Sequence, residues 1–318
     1  MAKEDYTSHP TISQTAIWLL QSARPRQWLK NLGLYAPLIF WGELFRPDGL
    51  VKVTKAAILF GLVSSAVYLI NDVIDAPRDR RHPFKKNRPI AAGGLPVRTA
   101  LVVALFLLVC GLGGAFLLNT YFFFPVLVYF LLQILYSFWL REVIILDALA
   151  IALGFILRVF AGAWVLPVPL SSWLVLSTTG LALLLAFGKR RSERTILNTE
   201  GISARTRKTL EHYPDTLLDA AISMSAAYAI LSYSLFSFQT SPLPTTPFLE
   251  TLLPATIARP KLMMLTIPLV IYAVARYLYV IYEKKEGESP EEVLLSDRPL
   301  LASVVIWGLL VIGIIYWL

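Results

Sequence analysis

Cysteine, histidine and charged residues are scarce in this chain. Its 318 residues include one cysteine, three histidines and only 16% charged residues. Cys110 has no partner for an intrachain disulfide, and His9, His82 and His212 lack the spacing of a zinc site. The sequence contains no Walker loop, no G-x-G-x-x-G fingerprint and no repeat of fixed period. It therefore carries no signature of a zinc protein or of the common nucleotide-binding motifs.

Apolar residues dominate the composition of the chain. They make up 56% of the chain, and the mean hydropathy is +0.63. A soluble domain of this length would not carry so much apolar surface, so the sequence predicts an all-α integral membrane protein. Runs of roughly 20 apolar residues predict a bundle of nine spans, at about 32–46, 52–71, 98–118, 121–140, 143–163, 170–188, 216–238, 261–282 and 299–318.

The predicted organisation is one transmembrane domain, 32–318, behind an amino-terminal segment, 1–31, that is cytosolic or interfacial. A short helix at 11–22 is expected to lie along the membrane surface. The first span is weak, because Pro37, Gly42 and Glu43 interrupt it. No cleavable signal peptide is expected, since no apolar region closely follows the first five residues.

The distribution of lysine and arginine predicts the orientation. With the amino terminus inside, 22 of the 29 cations fall in internal segments. This bias predicts a multi-pass plasma-membrane protein with a cytosolic amino terminus and an external carboxyl terminus. The two large basic loops, about 72–98 and 189–213, are then cytosolic. The membrane accounts for the basic charge, so no nucleic-acid partner is expected, and a homo-oligomer is compatible with the sequence.

An acidic motif lies where the second predicted span ends. Its pattern is N-D-x-x-D-x-x-x-D, formed by Asn71, Asp72, Asp75 and Asp79. On a helix the three aspartates share one face, although Pro77 predicts a kink or an end before Asp79. Crowded carboxylates favour a hard divalent cation, and Mg²⁺ typically binds one or two carboxylates together with phosphate oxygens. The structural alternative is a solvated helix end whose acids pair with neighbouring arginines.

Cations surround this motif and recur elsewhere at the cytosolic side. Some of them follow the positive-inside rule alone, whereas others are expected to bind phosphate. Ionisable groups inside predicted spans are functional by default, with an ion pair as the alternative. The candidate binding residues are Gln27, Lys30, Asn31, Arg78, Lys85, Lys86, Arg88, Tyr136, Asp147, Arg158, Lys189, Arg190 and Glu193.

Several of these motifs together resemble the UbiA superfamily of intramembrane prenyltransferases. The acidic motif carries the resemblance to the superfamily, which implies a nine-helix bundle, a cytosol-facing site, a lateral opening to lipid and a diphosphate bound through Mg²⁺. The stretches Arg24–Asn31, Asn71–Ile90 and Gly188–Glu193 resemble the decaprenyl-phosphate phosphoribosyltransferase branch. That branch implies transfer of 5-phosphoribose from phosphoribosyl diphosphate to a polyprenyl phosphate, with Asp72, Asp75 and Asp79 on the metal.

One departure from the sequence pattern of the superfamily helps to distinguish between the possible reactions. Ordinary prenyltransferases resemble one another in a second acidic motif, D-x-x-x-D, after the sixth span. Here the stretch Lys189–Glu193 contains one acid and three cations. This pattern favours two anionic substrates over one prenyl diphosphate held by two metal patches. Prenyl transfer to a small acceptor remains the alternative, and a non-catalytic carrier or channel is a third.

Overall fold

A computed structural model describes residues 11–81, 85–166, 168–199, 213–240, 261–284 and 290–317. It contains helices and no strand in these ranges. The α-helices are α1 Ile12–Ala23, α2 Ala36–Phe40, α3 Pro47–Asp79, α4 Val97–Leu118, α5 Thr120–Phe138, α6 Leu146–Val165, α7 Ser172–Thr199, α8 Asp215–Thr240, α9 Ile267–Tyr279, α10 Pro290–Ser296 and α11 Arg298–Tyr316. Short 3-10 helices cover Pro25–Tyr35, Lys85–Asn87, Leu140–Glu142 and Leu262–Thr266, and a π-helix covers Val280–Lys284.

Eight helical segments within the described residues are long and apolar enough to cross a membrane. They are α3 to α8, the segment Leu262–Glu283 that contains α9, and α11. The all-α multi-pass architecture is therefore confirmed. Successive long helices run in opposite directions, so the carboxyl ends of α3, α5 and α7 and the amino ends of α6, α8 and α11 meet at one end, called here the charged end.

The expected first span, 32–46, does not form a membrane-length α-helix. Its residues belong to the 3-10 helix Pro25–Tyr35 and to the five-residue α2, because prolines and glycines interrupt the apolar run. This compound segment still runs along α3, from Arg24 beside Asp72 to Leu44 beside Tyr316 at the opposite end. Nine crossings, the membrane orientation and the two-part domain division stay predictions.

Two glycines allow the compound segment to pack closely. A Cβ atom at Gly61 in α3 would lie 2.8 Å from the Trp28 ring, and one at Gly162 in α6 would collide with the Leu34 carbonyl oxygen. The Trp28 indole also donates a hydrogen bond to Ser65 in α3. Close backbone approach therefore locks this irregular segment between α3 and α6.

Helix boundaries at the charged end differ from the sequence prediction. The acidic motif lies inside α3, which continues through Pro77 to Asp79, and the helix α7 extends from the sixth span to Thr199. Two residues follow Pro77 in α3, and Arg80 N–H still bonds the Ala76 carbonyl, although the proline has no N–H for the Val73 carbonyl. The expected loops 72–98 and 189–213 are therefore shorter. Their residues 82–84 and 200–212 lie outside the described residues, as does segment 1–10.

Candidate active site

Three arginines from three different segments bind the three aspartates of α3. Arg24 lies 2.5 Å from Asp72, and Arg141 lies 2.6 Å from Asp75. One nitrogen of Arg88 contacts both Asp79 at 2.7 Å and Asp72 at 3.3 Å. These six residues, Asp72, Asp75, Asp79, Arg24, Arg88 and Arg141, are called here the α3 cluster. Its carboxylates and guanidinium groups balance in formal charge.

Each arginine reaches the cluster from a short connecting segment. Arg24 ends α1 in the left-handed backbone region, with φ of 52°, which few residues other than glycine adopt. Arg88 directly follows the 3-10 helix Lys85–Asn87, and Arg141 lies in the 3-10 helix Leu140–Glu142. The three aspartates therefore hold the amino-terminal segment, and the connecting segments that carry Arg88 and Arg141, against the end of α3.

The carboxyl end of α5 joins this cluster to a second one. Ser137 donates a hydrogen bond to Asn71 of the acidic motif. Tyr136, the residue before it, accepts one at 3.1 Å from Arg190 in α7. Because consecutive residues of α5 contact α3 and α7, the motifs at Asn71 and Arg190 lie in one site.

The second group, called here the α6–α7 cluster, consists of Asp147, Arg190 and Glu193 with the tyrosines Tyr136 and Tyr213. Arg190 is 1% exposed and bonds Asp147 at 2.8 Å as well as Glu193. Tyr213 donates a 2.6 Å hydrogen bond to Asp147 and accepts one from Ile145 N–H. Burial, together with the bond to the Asp147 carboxylate, raises the pKa of the Tyr213 phenol above its ordinary value.

Ile145, where the connection enters α6, adopts a strained backbone. Its φ is 70° and its ψ is −47°, and Leu146 N–H bonds the Ile144 carbonyl across it at 2.8 Å. This is a γ-turn of the rare kind, which is costly for a β-branched residue. The bond from Ile145 N–H to Tyr213 holds the turn.

Arg158 and Asn31 form a separate pair deeper in the bundle. Arg158 is 4% exposed, donates to Asn31 at 3.0 Å and stacks over the Phe60 and Tyr129 rings. It follows Asp147 by eleven residues on α6, or about 16 Å of helical rise. The ion pair expected as the alternative for such ionisable groups is present at Asp147, but its partner is Arg190 and not Arg158.

The remaining candidate residues differ in how far they are engaged. Arg78 pairs with Glu142 at 3.6 Å, and both side chains are exposed. Lys85, Gln27 and Lys30 are half-buried and in contact with other groups, whereas Lys86 is exposed. Lys189 is half-buried and forms no ion pair within the described ranges. Arg276, inside the apolar segment Leu262–Glu283, binds Asp297 through two nitrogens at 2.9 and 3.0 Å.

Oxygen atoms dominate the α3 motif, and they fit a hard cation such as Mg²⁺. Asp75 and Asp79 supply carboxylates, and Asn71 supplies an amide oxygen on the same side of α3. In the part of the chain that the structure describes, no three Asp, Glu, His or Cys side chains converge on one point. The three-aspartate metal site therefore stays a prediction, and Asp75 points to Arg141 rather than to the other two acids.

Sequence reasoning missed three residues that organise this site. Arg141 was counted only as a loop cation, Arg24 only as part of a motif, and Tyr213 not at all. Arg141 and Asp75 are separated by 66 residues, and so are Tyr213 and Asp147. No local spacing signals such contacts; only the odd placement of Arg141 between two apolar spans gave a hint.

A cavity of about 440 Å³ opens at the opposite end of the bundle. Aromatic residues such as Trp41, Trp173 and Phe236 line it, together with polar residues that include Gln239. None of the candidate residues lies in its wall. The charged end and not this cavity is therefore the candidate active site.

The chain is similar to known proteins over most of its length. Two decaprenyl-phosphate phosphoribosyltransferases are similar over nearly the whole chain. The Mycobacterium tuberculosis protein is 34% identical over 96% of this chain and 96% of its own length. The Corynebacterium glutamicum protein is 33% identical over 99% of this chain and 92% of its own length.

Solved structures show the same fold. A UbiA homolog from Archaeoglobus fulgidus, bound to GPP and Mg²⁺, superposes with a TM-score of 0.67 at 18% identity, covering 94% of this chain and 99% of that one. The model of the UbiA prenyltransferase family matches residues 35–294. With the acidic motif on a helical bundle and full-length relatives that are transferases, the chain belongs to the UbiA prenyltransferase family of membrane transferases.

Proposed function

We propose that the protein transfers 5-phosphoribose from phosphoribosyl diphosphate to a polyprenyl phosphate, such as decaprenyl phosphate. The products are polyprenyl-phosphoryl-5-phosphoribose and diphosphate. A phosphate oxygen of the lipid forms the bond to the anomeric carbon, while the bond from that carbon to the diphosphate breaks. The lipid phosphate is ionised at neutral pH, so the reaction needs no strong general base.

The engagement of Glu193 carries this proposal. Glu193 is the one acid in the stretch Lys189–Glu193, and it is bound to the buried Arg190. A second metal patch for a prenyl diphosphate would have to break that ion pair. The ammonium group of Lys189, by contrast, forms no ion pair in the described ranges, so it can bind an anionic substrate. One acidic patch and one added cation suit a sugar diphosphate facing a lipid phosphate, which agrees with the names of the full-length relatives.

The α3 cluster would receive the donor. Its oxygen atoms, from Asp72, Asp75 and Asp79 with Asn71, would hold Mg²⁺, which neutralises charge on the departing diphosphate when bound. Arg88 and Arg24 would contact the phosphate oxygens, since guanidinium groups bind them in a bidentate manner. Lys189 would bind a phosphate from the facing helix, and Lys30 and Lys85 would complete the ring of cations. Alignment of two anions would then supply most of the rate.

Arg190 has a structural role in this proposal and not the expected role in phosphate binding. The sequence assigned it to phosphate, but its guanidinium is enclosed by two carboxylates and a tyrosine. We assign it to fixing α7 against α5 and α6. The site would face the cytosol of a cell with this protein in its plasma membrane, with the lipid tail entering through a lateral opening.

The test is a transfer assay with the purified full-length protein. Ribose-labelled phosphoribosyl diphosphate, Mg²⁺ and decaprenyl phosphate should give a lipid-soluble product, which EDTA should abolish. Asp75→Asn should lose the activity and stay folded, whereas Arg46→Gln, at the opposite end, should keep it. Absence of lipid-soluble label, together with consumption of a prenyl diphosphate and an aromatic acceptor, would refute the proposal in favour of prenyl transfer.

A further inference from the structure

The connection between α5 and α6, residues 139–145, touches both ion clusters. Its 3-10 helix contains Arg141, whose guanidinium group bonds Asp75 of the α3 cluster at 2.6 Å. Its last residue, Ile145, donates its backbone N–H to the Tyr213 phenol of the α6–α7 cluster, also at 2.6 Å. Three residues separate Arg141 from Ile145, so few bonds can absorb a change of backbone conformation at Ile145 before it reaches Arg141.

The strained backbone of Ile145 is not explained by its own side chain. Ile145 is one of two non-glycine residues in the described ranges with a positive φ. Glycine adopts this conformation without the steric penalty of a β-branched side chain. The residue is 40% exposed, so burial of the side chain does not compensate for the strain. A contact made by the backbone must therefore hold the turn.

Tyr213 makes that contact. Its hydroxyl oxygen accepts the Ile145 N–H and donates to Asp147 Oδ1, both at 2.6 Å. Because Ile145 and Asp147 lie on either side of Leu146, one hydroxyl group spans the turn. Tyr213 is itself fully buried, and its backbone carbonyl accepts a hydrogen bond from Arg194 in α7. The phenol therefore holds the turn from a fixed position between α7 and α8.

The Arg141 guanidinium is the group that this connection brings to the α3 cluster. Arg141 is buried although it lies in a connecting segment. Backbone hydrogen bonds close the 3-10 helix Leu140–Glu142, so Arg141 moves together with that helix. A residue that orients a ligand-binding carboxylate commonly changes affinity or activity about tenfold or more when it is removed. The position of the connection therefore matters for Asp75.

From these contacts we propose that Tyr213 is a positioning residue of the candidate active site. It holds the strained turn at Ile145 and thereby keeps Arg141 against Asp75. The inference rests on the proposed function, because it takes Asp75 as part of a site for the diphosphate of the donor. Tyr213 touches no substrate in this role; it acts on the α3 cluster through the connection.

A rescue experiment tests whether the strained turn transmits the effect. Binding of labelled inorganic diphosphate at saturating Mg²⁺ is measured by equilibrium dialysis, with the purified full-length protein in nanodiscs. Tyr213→Phe should weaken binding about tenfold. Ile145→Gly, added to Tyr213→Phe, should restore most of the affinity, because glycine adopts the turn without the hydrogen bond. Ile145→Ala is the matched control: it also removes the side chain but keeps the strained backbone, so it should not restore binding.

A double-mutant cycle shows whether Tyr213 acts through Arg141. Arg141→Gln should weaken diphosphate binding to the same extent as Tyr213→Phe, and the double variant should be no weaker than either single one. Arg46→Gln, which removes an exposed arginine paired with Glu43 at the opposite end, should bind diphosphate as the unaltered protein does.

Hydrogen–deuterium exchange, followed by mass spectrometry at short exchange times, gives a readout that is independent of any ligand. Tyr213→Phe should raise the exchange rate of the peptide that covers residues 139–147 about tenfold, because the turn opens locally. The exchange of α4, Val97–Leu118, should stay unchanged. A loss of stability spread over the whole protein would instead raise exchange in both regions.

Three results would overturn the inference: equal restoration of binding by Ile145→Gly and Ile145→Ala, additive effects of Tyr213→Phe and Arg141→Gln, or unchanged exchange in residues 139–147. If the unaltered protein binds no diphosphate, the proposed function is refuted, and the exchange measurement alone decides whether Tyr213 holds the connection. A protein that passes all three tests but fails the phosphoribosyl transfer assay would refute the proposed function and keep the positioning role of Tyr213.

Discussion

The two ion clusters of the charged end contain the same chemical groups but are built in opposite ways. In the α3 cluster three acids have three arginines, and the side chains of Arg24 and Arg88 remain 30% and 27% exposed. In the α6–α7 cluster a single arginine, 1% exposed, lies between two acids. A partly exposed guanidinium group, such as that of Arg24 or Arg88, can turn from its aspartate to a ligand at lower cost than a buried one, because water still solvates it. The first cluster is therefore suited to ligands and the second to holding helices together.

The largest loss of stability is expected when the buried Arg190 is replaced. Arg190→Gln leaves Asp147 and Glu193 without their cation, so we expect a loss of about 3–5 kcal/mol in unfolding free energy. Arg46→Gln is the control, since it removes an arginine that is 75% exposed from its pair with Glu43. It should lose about 1 kcal/mol or less. Thermal unfolding in detergent measures both, and equal losses would contradict the comparison.

A smaller effect is expected at the tyrosine of the same cluster. Tyr213→Phe removes the donor to Asp147 and the acceptor for Ile145 N–H, which should cost about 1–3 kcal/mol. The pH dependence provides a second check. Because the folded pKa of Tyr213 is raised, its contribution is complete below the unfolded pKa of about 10 and falls as pH rises above that value.

The difference in stability between the unaltered protein and Tyr213→Phe should therefore be constant from pH 7 to 9 and shrink above pH 10. Unfolding curves across this range measure it. A difference that grows with rising pH would show that the phenol is not held in its neutral form by Asp147.

Lys189 and Arg190 allow a partly exposed cation and a buried cation to be compared within one helix, because they are consecutive residues of α7. Its ammonium group has no ion pair within the residues that the structure covers, so we expect it to contribute little to stability, and in the proposed function it binds a phosphate. Lys189→Ala should lower kcat/KM for phosphoribosyl transfer about tenfold and leave the unfolding temperature unchanged. Arg46→Gln, at the opposite end of the bundle, should change kcat/KM less than threefold. A loss of stability with unchanged kcat/KM would assign Lys189 to the fold instead.

The fold was largely predictable because membrane crossing depends on local composition. Apolar runs predicted the helices that became α3 to α8, α9 and α11. The prediction erred where local signals were weak or misleading. The weak span expected at 32–46 is a 3-10 helix followed by the five-residue α2, and Pro77, which was expected to kink or end the helix, lies inside α3 two residues before its end. Close packing against α3 and α6 decided the first case, and no local signal along the chain encodes it.

The candidate site was predictable in its chemistry but not in its pairings. Asp72, Asp75, Asp79 and Arg88 form one cluster, as the structural alternative of paired acids and arginines also anticipated. The position of Arg158, about three helical turns below Asp147, was readable from spacing. Its partner Asn31, on another segment, was not. Substrate binding by these residues is part of the proposed function, which the transfer assay tests.

The sequence by itself determined that this protein is helical, lies in a membrane and carries carboxylate and amide oxygens beside cations, because those properties depend on composition and on spacing along one helix. The tertiary structure alone decided which cation serves which acid. Arg24, Arg88 and Arg141 bind the acids of α3, and Arg190 is withdrawn into the bundle, since the contacts join segments up to 66 residues apart. Burial then gives arginines of the same chemistry different roles. A buried arginine must keep its carboxylate partner, because no water can replace it, whereas a partly exposed arginine can leave its partner for a ligand.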